Sequence, residues 1–401
     1  MNSATNAPSH SSIPPLAVPL LSLAAFGSGI SLRVTDPMLP FLAQEFGVAL
    51  GQAAHVITVF SIAYGLSQLI FGPVGDRYGK YLVVGLASMA CALTALLCAL
   101  APGYGLLLGA RLLAGATAAA IIPLAMAWIG DVVPYQERQP VIARFLIGQV
   151  LGLSSGVLLG GLAADIGNWR LPFFFISAVF VVVSVAILSL NRRLPAHARI
   201  THRAEGHALV RMVREFHEVL RLPWARTILL AVLLEGAFLY GAFAFIASHA
   251  HVRFGISLTT AGALVMLFGL GGFVFAIASA ALVRALGEVR LAIVGGALVA
   301  LSWAGIGLAP AWGWVTIACF AAGIGFYMMH TTLQINATQM APERRGAAVS
   351  AFASCFFLGQ SIGVGTAGLI VEWWGTRAVM LLGAAGVLAV ALRFAANLQR
   401  R

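Results

Sequence analysis

The sequence predicts an all-α polytopic membrane protein with twelve transmembrane helices in two pseudo-symmetric six-helix bundles. Three observations support this fold class: the composition, the lengths of the apolar stretches and an internal repeat. Of the 401 residues, 60% are hydrophobic and 9% are charged, whereas about a quarter of the residues in a soluble domain are charged. This composition excludes a soluble globular protein, a disordered chain and a protein that binds nucleic acid.

Twelve apolar stretches are long enough to cross a bilayer, whose hydrocarbon core of about 30 Å requires about 20 helical residues. In the first half, the predicted spans are 17–41, 54–74, 81–100, 104–130, 141–163 and 171–190. In the second half, they are 227–250, 258–283, 289–310, 313–337, 347–371 and 377–396. We therefore expect one bundle over 17–190 and another over 227–396. Residues 1–16, which lack the charged start of a secretory signal, and residues 397–401 are predicted to be cytoplasmic tails.

The long polar stretch 191–226 separates the two predicted bundles. It contains eight Arg, four His and three Glu residues. Within it, apolar residues recur at helical spacing over 205–222, which predicts an amphipathic helix beneath the bilayer. We interpret the stretch as a cytoplasmic linker between the bundles, and a dedicated site for a partner protein is the alternative.

The distribution of positive charge predicts that both termini are cytoplasmic. With that orientation, 19 of the 24 Lys and Arg residues fall in cytoplasmic segments, as the positive-inside rule requires. The opposite orientation would place most of them outside. We therefore expect a multi-pass protein of a bacterial cytoplasmic (inner) membrane. We also expect it to be a monomer that contacts the lipid bilayer and does not bind nucleic acid.

The two halves of the chain share sequence at an offset near 208 residues. Ala114-Gly115 matches Ala322-Gly323. Three residues recur together in the next spans, namely Phe145, Gly148 and Gln149 as Phe356, Gly359 and Gln360. Two six-span halves joined by a basic linker form the architecture of a parallel-repeat secondary transporter.

The loop between the second and third spans carries the pattern G-x-x-x-D-R-x-G-K. Its fixed positions are Gly72, Asp76, Arg77, Gly79 and Lys80. With this loop the chain resembles the major facilitator superfamily, whose most specific signature has this pattern. The topology, the linker and the repeat agree with the resemblance over the whole chain. The resemblance implies that Asp76 and Arg77 hold one conformation closed from the cytoplasmic side, and Asp131 is the expected partner of Arg77.

Two further features resemble the drug:proton antiporter branch of that superfamily. Arg111 followed by Gly115 in the fourth span is similar to its proton-antiporter signature. The fifth span contains glycines like those of its glycine motif, at Gly152, Gly156 and Gly160. That motif usually has proline after the second glycine, where this chain has Val157. The resemblance implies proton-coupled efflux of a small, hydrophobic or drug-like molecule, whereas close helix packing is the structural alternative for the glycines.

Ionisable residues within spans are costly and usually face a cavity or one another. Arg33 and Asp36 lie in the outer half of the first span, and Arg111 lies in the outer half of the fourth. At about 1.5 Å of rise per residue, the depths of Asp36 and Arg111 agree within about 3 Å. We therefore expect an ion pair between them across the cavity, for which Arg33 competes, and a purely structural pair is the alternative.

Glu235 in the seventh span and His330 in the tenth lie at matching depths. In the superfamily that the chain resembles, the first, fourth, seventh and tenth spans line the central cavity. Buried carboxyl and imidazole groups are both suited to binding and releasing protons. We predict that Glu235 and His330 carry the coupled proton, with Asp36 as the competing carrier. A hydrogen-bonded structural histidine is the alternative for His330.

Three further polar residues are candidates for substrate contact, namely Tyr64, Gln68 and Gln334. Ordinary hydrogen bonds between helices are the alternative for each. We expect no cofactor, no metal and no catalytic residue. The four cysteines show no metal-binding spacing, and the G-x-S-x-G match over 152–156 has no strand before it. A sugar or metabolite permease is the nearer alternative function, and an intramembrane enzyme is the remote one.

Overall fold

The computed structural model describes residues 13–199 and 208–400. All regular secondary structure in these residues is helical. Within them, 9 helical segments are long and apolar enough to cross a membrane, and the shorter helix Ala17–Arg33 adds another. Two of these segments break at a glycine into two passes each, so the chain makes twelve passes and the predicted fold class is confirmed. Most of the predicted tail 1–16, the linker residues 200–207 and the final residue lie outside the described residues.

The first half consists of nine α-helices that form six passes. They are α1 (Ala17–Arg33), α2 (Leu39–Phe46), α3 (Leu50–Ala53), α4 (His55–Tyr78), α5 (Lys80–Ala99), α6 (Tyr104–Ala118), α7 (Ile121–Val132), α8 (Tyr135–Ile166) and α9 (Leu171–Asn191). Helices α1 and α2, α3 and α4, and α6 and α7 each share one pass.

The second half follows a 3-10 turn at Ala196–Arg199 and the linker helix α10 (Ala208–Arg221). Its helices are α11 (Pro223–Phe243), α12 (Ile246–Phe254), α13 (Leu258–Leu308), α14 (Trp312–Gln339) and α15 (Arg345–Gln399). Helix α13 breaks at Gly287, with φ 67°, and α15 breaks at Gly375, with φ 74°. Glycine adopts such positive φ angles without steric cost, so each break turns the chain from one pass into the next.

The first predicted span, 17–41, is not one continuous helix. Helix α1 ends at Arg33, and a non-helical segment separates it from α2. Pro37 and Pro40 explain the interruption, because proline has no N–H group to donate to the preceding turn. The interruption lies beside the charged residues of this span, and it determines which partners they find.

The repeat is visible in the packing of the two halves. Gly148 and Gly152 of α8 lie against the backbone of α1, and Gly359 and Gly363 of α15 lie against that of α11. The carbonyl groups that these glycines approach are those of Ser22, Phe26, Leu233 and Ala237. From Gly148 to Gly359 and from Ser22 to Leu233, glycine and partner shift by the same 211 positions. The two six-pass bundles are therefore related by pseudo-symmetry.

The linker helix α10 lies within the stretch predicted to be amphipathic. Glu218 of this helix forms an ion pair with Arg344, in the turn Pro342–Arg344 of the second half. The exposed Arg214 lies 3.9 Å from the same carboxylate. The linker is thus attached to the second half at the end of the molecule that also contains the 72–80 loop, which we call the linker face. The limits proposed for the bundles and the linker stay predictions.

Candidate functional site: a polar core between the two bundles

A small cavity lies between the two halves of the molecule. It is mostly apolar, and the residues that matter for its chemistry are Arg33, Ser154, Tyr240, Phe243, Phe268 and Tyr327. Its volume of about 30 Å³ leaves room for a water molecule or two. A molecule much larger than water would therefore enter this cavity only after the halves move apart.

Arg33, the last residue of α1, contacts both halves. Its guanidinium donates hydrogen bonds to Oδ2 of Asp36 and to Oε1 of Gln360, each at 3.3 Å. Its Cζ atom also lies 3.8 Å from the centroid of the Tyr240 ring. Arg33 and Asp36 are 3% and 2% exposed, and a desolvated cation gains energy from an aromatic face. The first-half ion pair thus packs directly against the second half.

Arg111 does not form the predicted ion pair with Asp36. Its guanidinium donates to the carbonyl oxygens of Ser31 at 2.9 Å and Val56 at 3.1 Å, and it lies 4.1 Å from the centroid of the Phe60 ring. Carbonyl groups in the last turn of a helix lack intrahelical donors, and Ser31 occupies that turn of α1. Arg111 therefore caps the interrupted helix, and Asp36 pairs with Arg33, three residues before it.

Glu235 of α11 and His330 of α14 lie next to each other, as matching depths predict. His330 Nδ1 is 2.9 Å from Glu235 Oε2, and Glu235 is 1% exposed. The second oxygen, Oε1, is buried without a hydrogen-bond partner among the described residues. The geometry brings the two titratable groups together, whereas their part in proton coupling stays a prediction.

The imidazole of His330 is enclosed by phenylalanine rings. The ring centroids of Phe326, Phe352 and Phe356 lie 4.9, 5.4 and 4.7 Å from that of His330. These rings shield most of the histidine, whose side chain is 15% exposed, from water and lower the local polarity. A change in the charge of the Glu235–His330 pair therefore has a larger electrostatic effect on the surrounding groups here than it would have in water.

The three candidates for substrate contact lie in different surroundings. The Tyr64 ring packs on Phe357 of the second half, with 4.2 Å between centroids. Gln68 is buried, and its Oε1 has no hydrogen-bond partner in the described residues. Gln334 is exposed and follows His330 by one turn on the same face of α14. Tyr64 therefore belongs to the contact between the halves, and Gln334 lies between His330 and the linker face.

Gln360 of α15 is a central residue that sequence reasoning did not select. It is fully buried, and its Nε2 donates to Ser61 Oγ at 2.9 Å while its Oε1 accepts from Arg33. Gln360 therefore connects the second half to two residues of the first. The repeat itself contained the signal, because Gln149 and Gln360 both follow a glycine at matching positions.

In the 72–80 loop, Lys80 rather than Arg77 pairs with Asp131. Lys80 Nζ lies 2.7 Å from Asp131 Oδ2 and 3.0 Å from Asp76 Oδ1. Gly79, with φ 95°, turns the chain between α4 and α5 so that Lys80 faces both carboxylates. Arg77 is exposed and lies over the Tyr78 ring, 5.3 Å from its centroid. The predicted pair of Arg77 with Asp131 is therefore wrong.

The other glycines of the two motifs differ in their surroundings. An added Cβ at Gly152, Gly156 or Gly160 would meet the backbone carbonyl of a residue in or just after α1. At Gly72, an added Cβ would meet nothing within 4 Å. Close packing therefore requires glycine in α8, whereas the arrangement seen here does not require it at position 72.

Comparisons with known proteins agree with this architecture. A family model described as Major Facilitator Superfamily matches residues 21–364 and 255–400. The MFS-type transporter YwfA of Bacillus subtilis (strain 168) is 25% identical over 367 residues, which are 91% of this chain and 88% of YwfA. The multidrug export protein EmrB of Haemophilus influenzae is 26% identical over 182 residues, covering 45% of this chain and 35% of EmrB. The crystal structure of a mutant of the nucleoside transporter NupG has a TM-score of 0.78 at 14% identity, covering 95% of this chain and 98% of that one.

Proposed function

The chain belongs to the major facilitator superfamily, and from this premise we propose that it is a secondary active transporter that exports a small hydrophobic molecule in exchange for protons. Its relatives are transporters, and it is not an enzyme. One observation carries the proposal. It is the buried pair of Glu235 and His330, in which one carboxylate oxygen has no partner among the described residues.

The pair can change its charge by one unit without losing its hydrogen bond. A proton added to the Glu235 carboxylate beside a neutral His330 removes the net charge of the pair, and the carboxyl group can still form a hydrogen bond. Because burial of an uncompensated ion costs several kcal/mol, the two protonation states favour different degrees of separation between the halves. A proton can thus shift the population of two conformations.

The contacts between the halves support alternating access. At the face opposite the linker, the Asp165 carboxylate of α8 accepts hydrogen bonds from the backbone N–H groups of Leu258 at 3.0 Å and Thr259 at 2.7 Å. Gly51 packs against Gly368 at the same face. These contacts join α8 to α13 and α3 to α15, and they would have to break for that face to open.

The lining of the cavity favours hydrophobic cargo. Aliphatic and aromatic side chains together predominate, the aromatic ones including Phe243, Phe268 and Tyr327, and Arg33 is the one lining cation among the described residues. Export is favoured by the similarity to EmrB, which is a multidrug export protein. A sugar or metabolite permease is the rival, since the NupG structure with the same fold is that of a nucleoside transporter.

Transport in reconstituted vesicles tests the proposal directly. Purified protein is placed in vesicles that contain a pH-sensitive dye, and a panel of hydrophobic compounds, sugars and nucleosides is added. We expect hydrophobic compounds to move protons in the opposite direction to themselves. Proton movement in the same direction as added sugars or nucleosides would favour the permease. Transport that does not depend on the pH gradient would contradict proton coupling.

A further inference from the structure

A second cleft lies at the linker face, outside the polar core. Its lining includes Tyr78, Gly79, Tyr81, Leu82, Asn191 and Arg199. These residues come from the end of α4, the start of α5, the end of α9 and the turn Ala196–Arg199. The cleft has a volume of about 190 Å³, compared with the roughly 10–15 Å³ that one water molecule needs on the same measure. It is large enough for a phosphate ester.

Two hydrogen bonds hold the turn that closes this cleft, one buried and one made by the exposed Arg199. The indole Nε1 of Trp128 donates to the Ala198 carbonyl at 2.9 Å, and Arg199 Nε donates to the Leu194 carbonyl at 2.8 Å. The second bond fixes the position of the guanidinium. The remaining N–H donors of Arg199 are on its two terminal nitrogens, which suit the oxygens of an anion.

The surroundings of the cleft are positively charged. Arg192 and Arg193 are exposed directly after Asn191, and the exposed Arg77 lies over the Tyr78 ring. The described lining contains no carboxylate. The acidic groups of the neighbouring loop, Asp76 and Asp131, are bonded to Lys80. The cleft therefore favours an anion.

An apolar seam extends from the cleft into the membrane between α5 and α9. Ser184 of α9 donates to the Gly85 carbonyl of α5 at 2.9 Å, which joins the two helices. On either side of this contact, Leu86 is 52% exposed and Val185 is 53% exposed. Because both helices cross the bilayer, these side chains face acyl chains, whereas the cleft at the helix ends lies at the level of the lipid headgroups.

We propose that this cleft is a binding site for an anionic phospholipid. Its phosphate bonds to the terminal nitrogens of Arg199, since a guanidinium matches phosphate geometry, and its acyl chains lie along the α5–α9 seam. A free phosphate ion offers the same charge but nothing for the apolar seam. The bound lipid would also hold the Gly79 turn that positions Lys80. The site is independent of what the protein transports.

The test is a lipid titration of the full-length protein in neutral detergent, with the thermal unfolding midpoint as the readout. Phosphatidylglycerol, phosphatidylcholine and inorganic phosphate are added separately. We expect phosphatidylglycerol to raise the midpoint of the wild type and the other two to leave it unchanged. Arg199→Gln should weaken the apparent affinity for phosphatidylglycerol by about tenfold, the effect of one hydrogen-bonded charge, and Arg199→Lys should weaken it less.

Two further variants make the result decisive. Arg290→Gln removes an exposed arginine of the second half, outside the cleft, and should leave the titration unchanged. Leu82→Trp fills the cleft without changing the charge and should weaken phosphatidylglycerol binding even if Arg199→Gln does not fold. Equal responses to phosphatidylglycerol and phosphatidylcholine, a full response to inorganic phosphate, or equal losses in Arg199→Gln and Arg290→Gln would each overturn the proposal.

Discussion

The two halves of the molecule share their helix packing but not their buried charges. In the second half, Glu235 and His330 occupy positions whose repeat counterparts in the first half are Ala24 and Ile122. Glu235 and Ala24 are 211 positions apart, like the glycine contacts between α1 and α8. The second-half pair is therefore an asymmetric feature on a symmetric scaffold.

The converse holds for the charges of the first half. The repeat counterparts of Asp36 and Arg111 in the second half are Ala247 and Cys319. Arg111 shares the offset of 208 with Gly115 and Gly323, which approach the carbonyls of corresponding residues in α4 and α13. Each half thus contributes its own polar group, and the two groups differ in chemistry.

The difference between the groups lies in what remains after a proton is added. Asp36 faces the guanidinium of Arg33, which does not lose its proton, so a protonated Asp36 would leave Arg33 as a poorly compensated buried cation. Glu235 faces an imidazole, which can give up its own proton. A proton added to Glu235 beside a neutral His330 therefore removes a buried net charge, whereas a proton added to the Asp36–Arg33 pair creates one. The first-half pair is thus better suited to holding the halves together.

Glu235→Gln should produce the largest change in transport. A gradient of about one pH unit is worth about 1.4 kcal/mol, which allows about tenfold accumulation for one coupled proton. We expect that ratio in the wild type and a ratio of about 1 in the variant, because glutamine hydrogen-bonds but does not titrate. Exchange down a gradient should persist. Glu343→Gln, an exposed carboxylate in the same half, is the control, and tenfold accumulation by Glu235→Gln would refute the carrier assignment.

Arg111→Leu should produce the largest change in stability. It removes the donors to two buried carbonyl groups, at Ser31 and Val56, so we expect the free energy of unfolding to fall by about 2–4 kcal/mol. Denaturant unfolding in detergent measures this, with the exposed Arg377→Leu as the matched control. If the stability is unchanged while coupling is lost, Arg111 acts in transport rather than as a helix cap.

Asp36→Asn should have a smaller effect on accumulation than Glu235→Gln. The amide oxygen can still accept from Arg33, so we expect the accumulation ratio to stay within about twofold of the wild type while the unfolding midpoint falls. The same vesicle assay measures the ratio. Loss of accumulation with intact downhill exchange would place the proton carrier in the first half and reverse the comparison.

Gln360→Ala should change the rate of transport but not its coupling to protons. It removes hydrogen bonds to Arg33 and Ser61 that join the two halves, and a typical hydrogen bond contributes about 1 kcal/mol. We therefore expect the turnover rate to change by about fivefold with coupling retained, because the relative stability of open and closed conformations shifts. Gln149→Ala, at the matching position of the repeat, should change turnover less. Equal effects of the two variants would show that Gln360 is not a specific link between the two halves.

Much of the fold could be predicted because the bilayer imposes it. A chain that crosses a hydrocarbon layer must satisfy its backbone within helices of a set length, so apolar stretches reveal the passes. The pairing of Glu235 with His330 could also be predicted, since helices of known direction place residues of equal depth at the same level. The interruption of the first pass was missed, although Pro37 and Pro40 are visible in the sequence.

The sequence by itself thus determined the twelve passes, the two related halves and the depth of each buried charge. Only the tertiary structure decided which partners those charges take. The depth of a residue in the bilayer gives its position along one direction only, whereas a hydrogen bond requires donor and acceptor to match in all three directions. The early end of α1 directs Arg111 to the carbonyl of Ser31 and leaves Asp36 to Arg33, and the positive φ of Gly79 directs Lys80 rather than Arg77 towards Asp131.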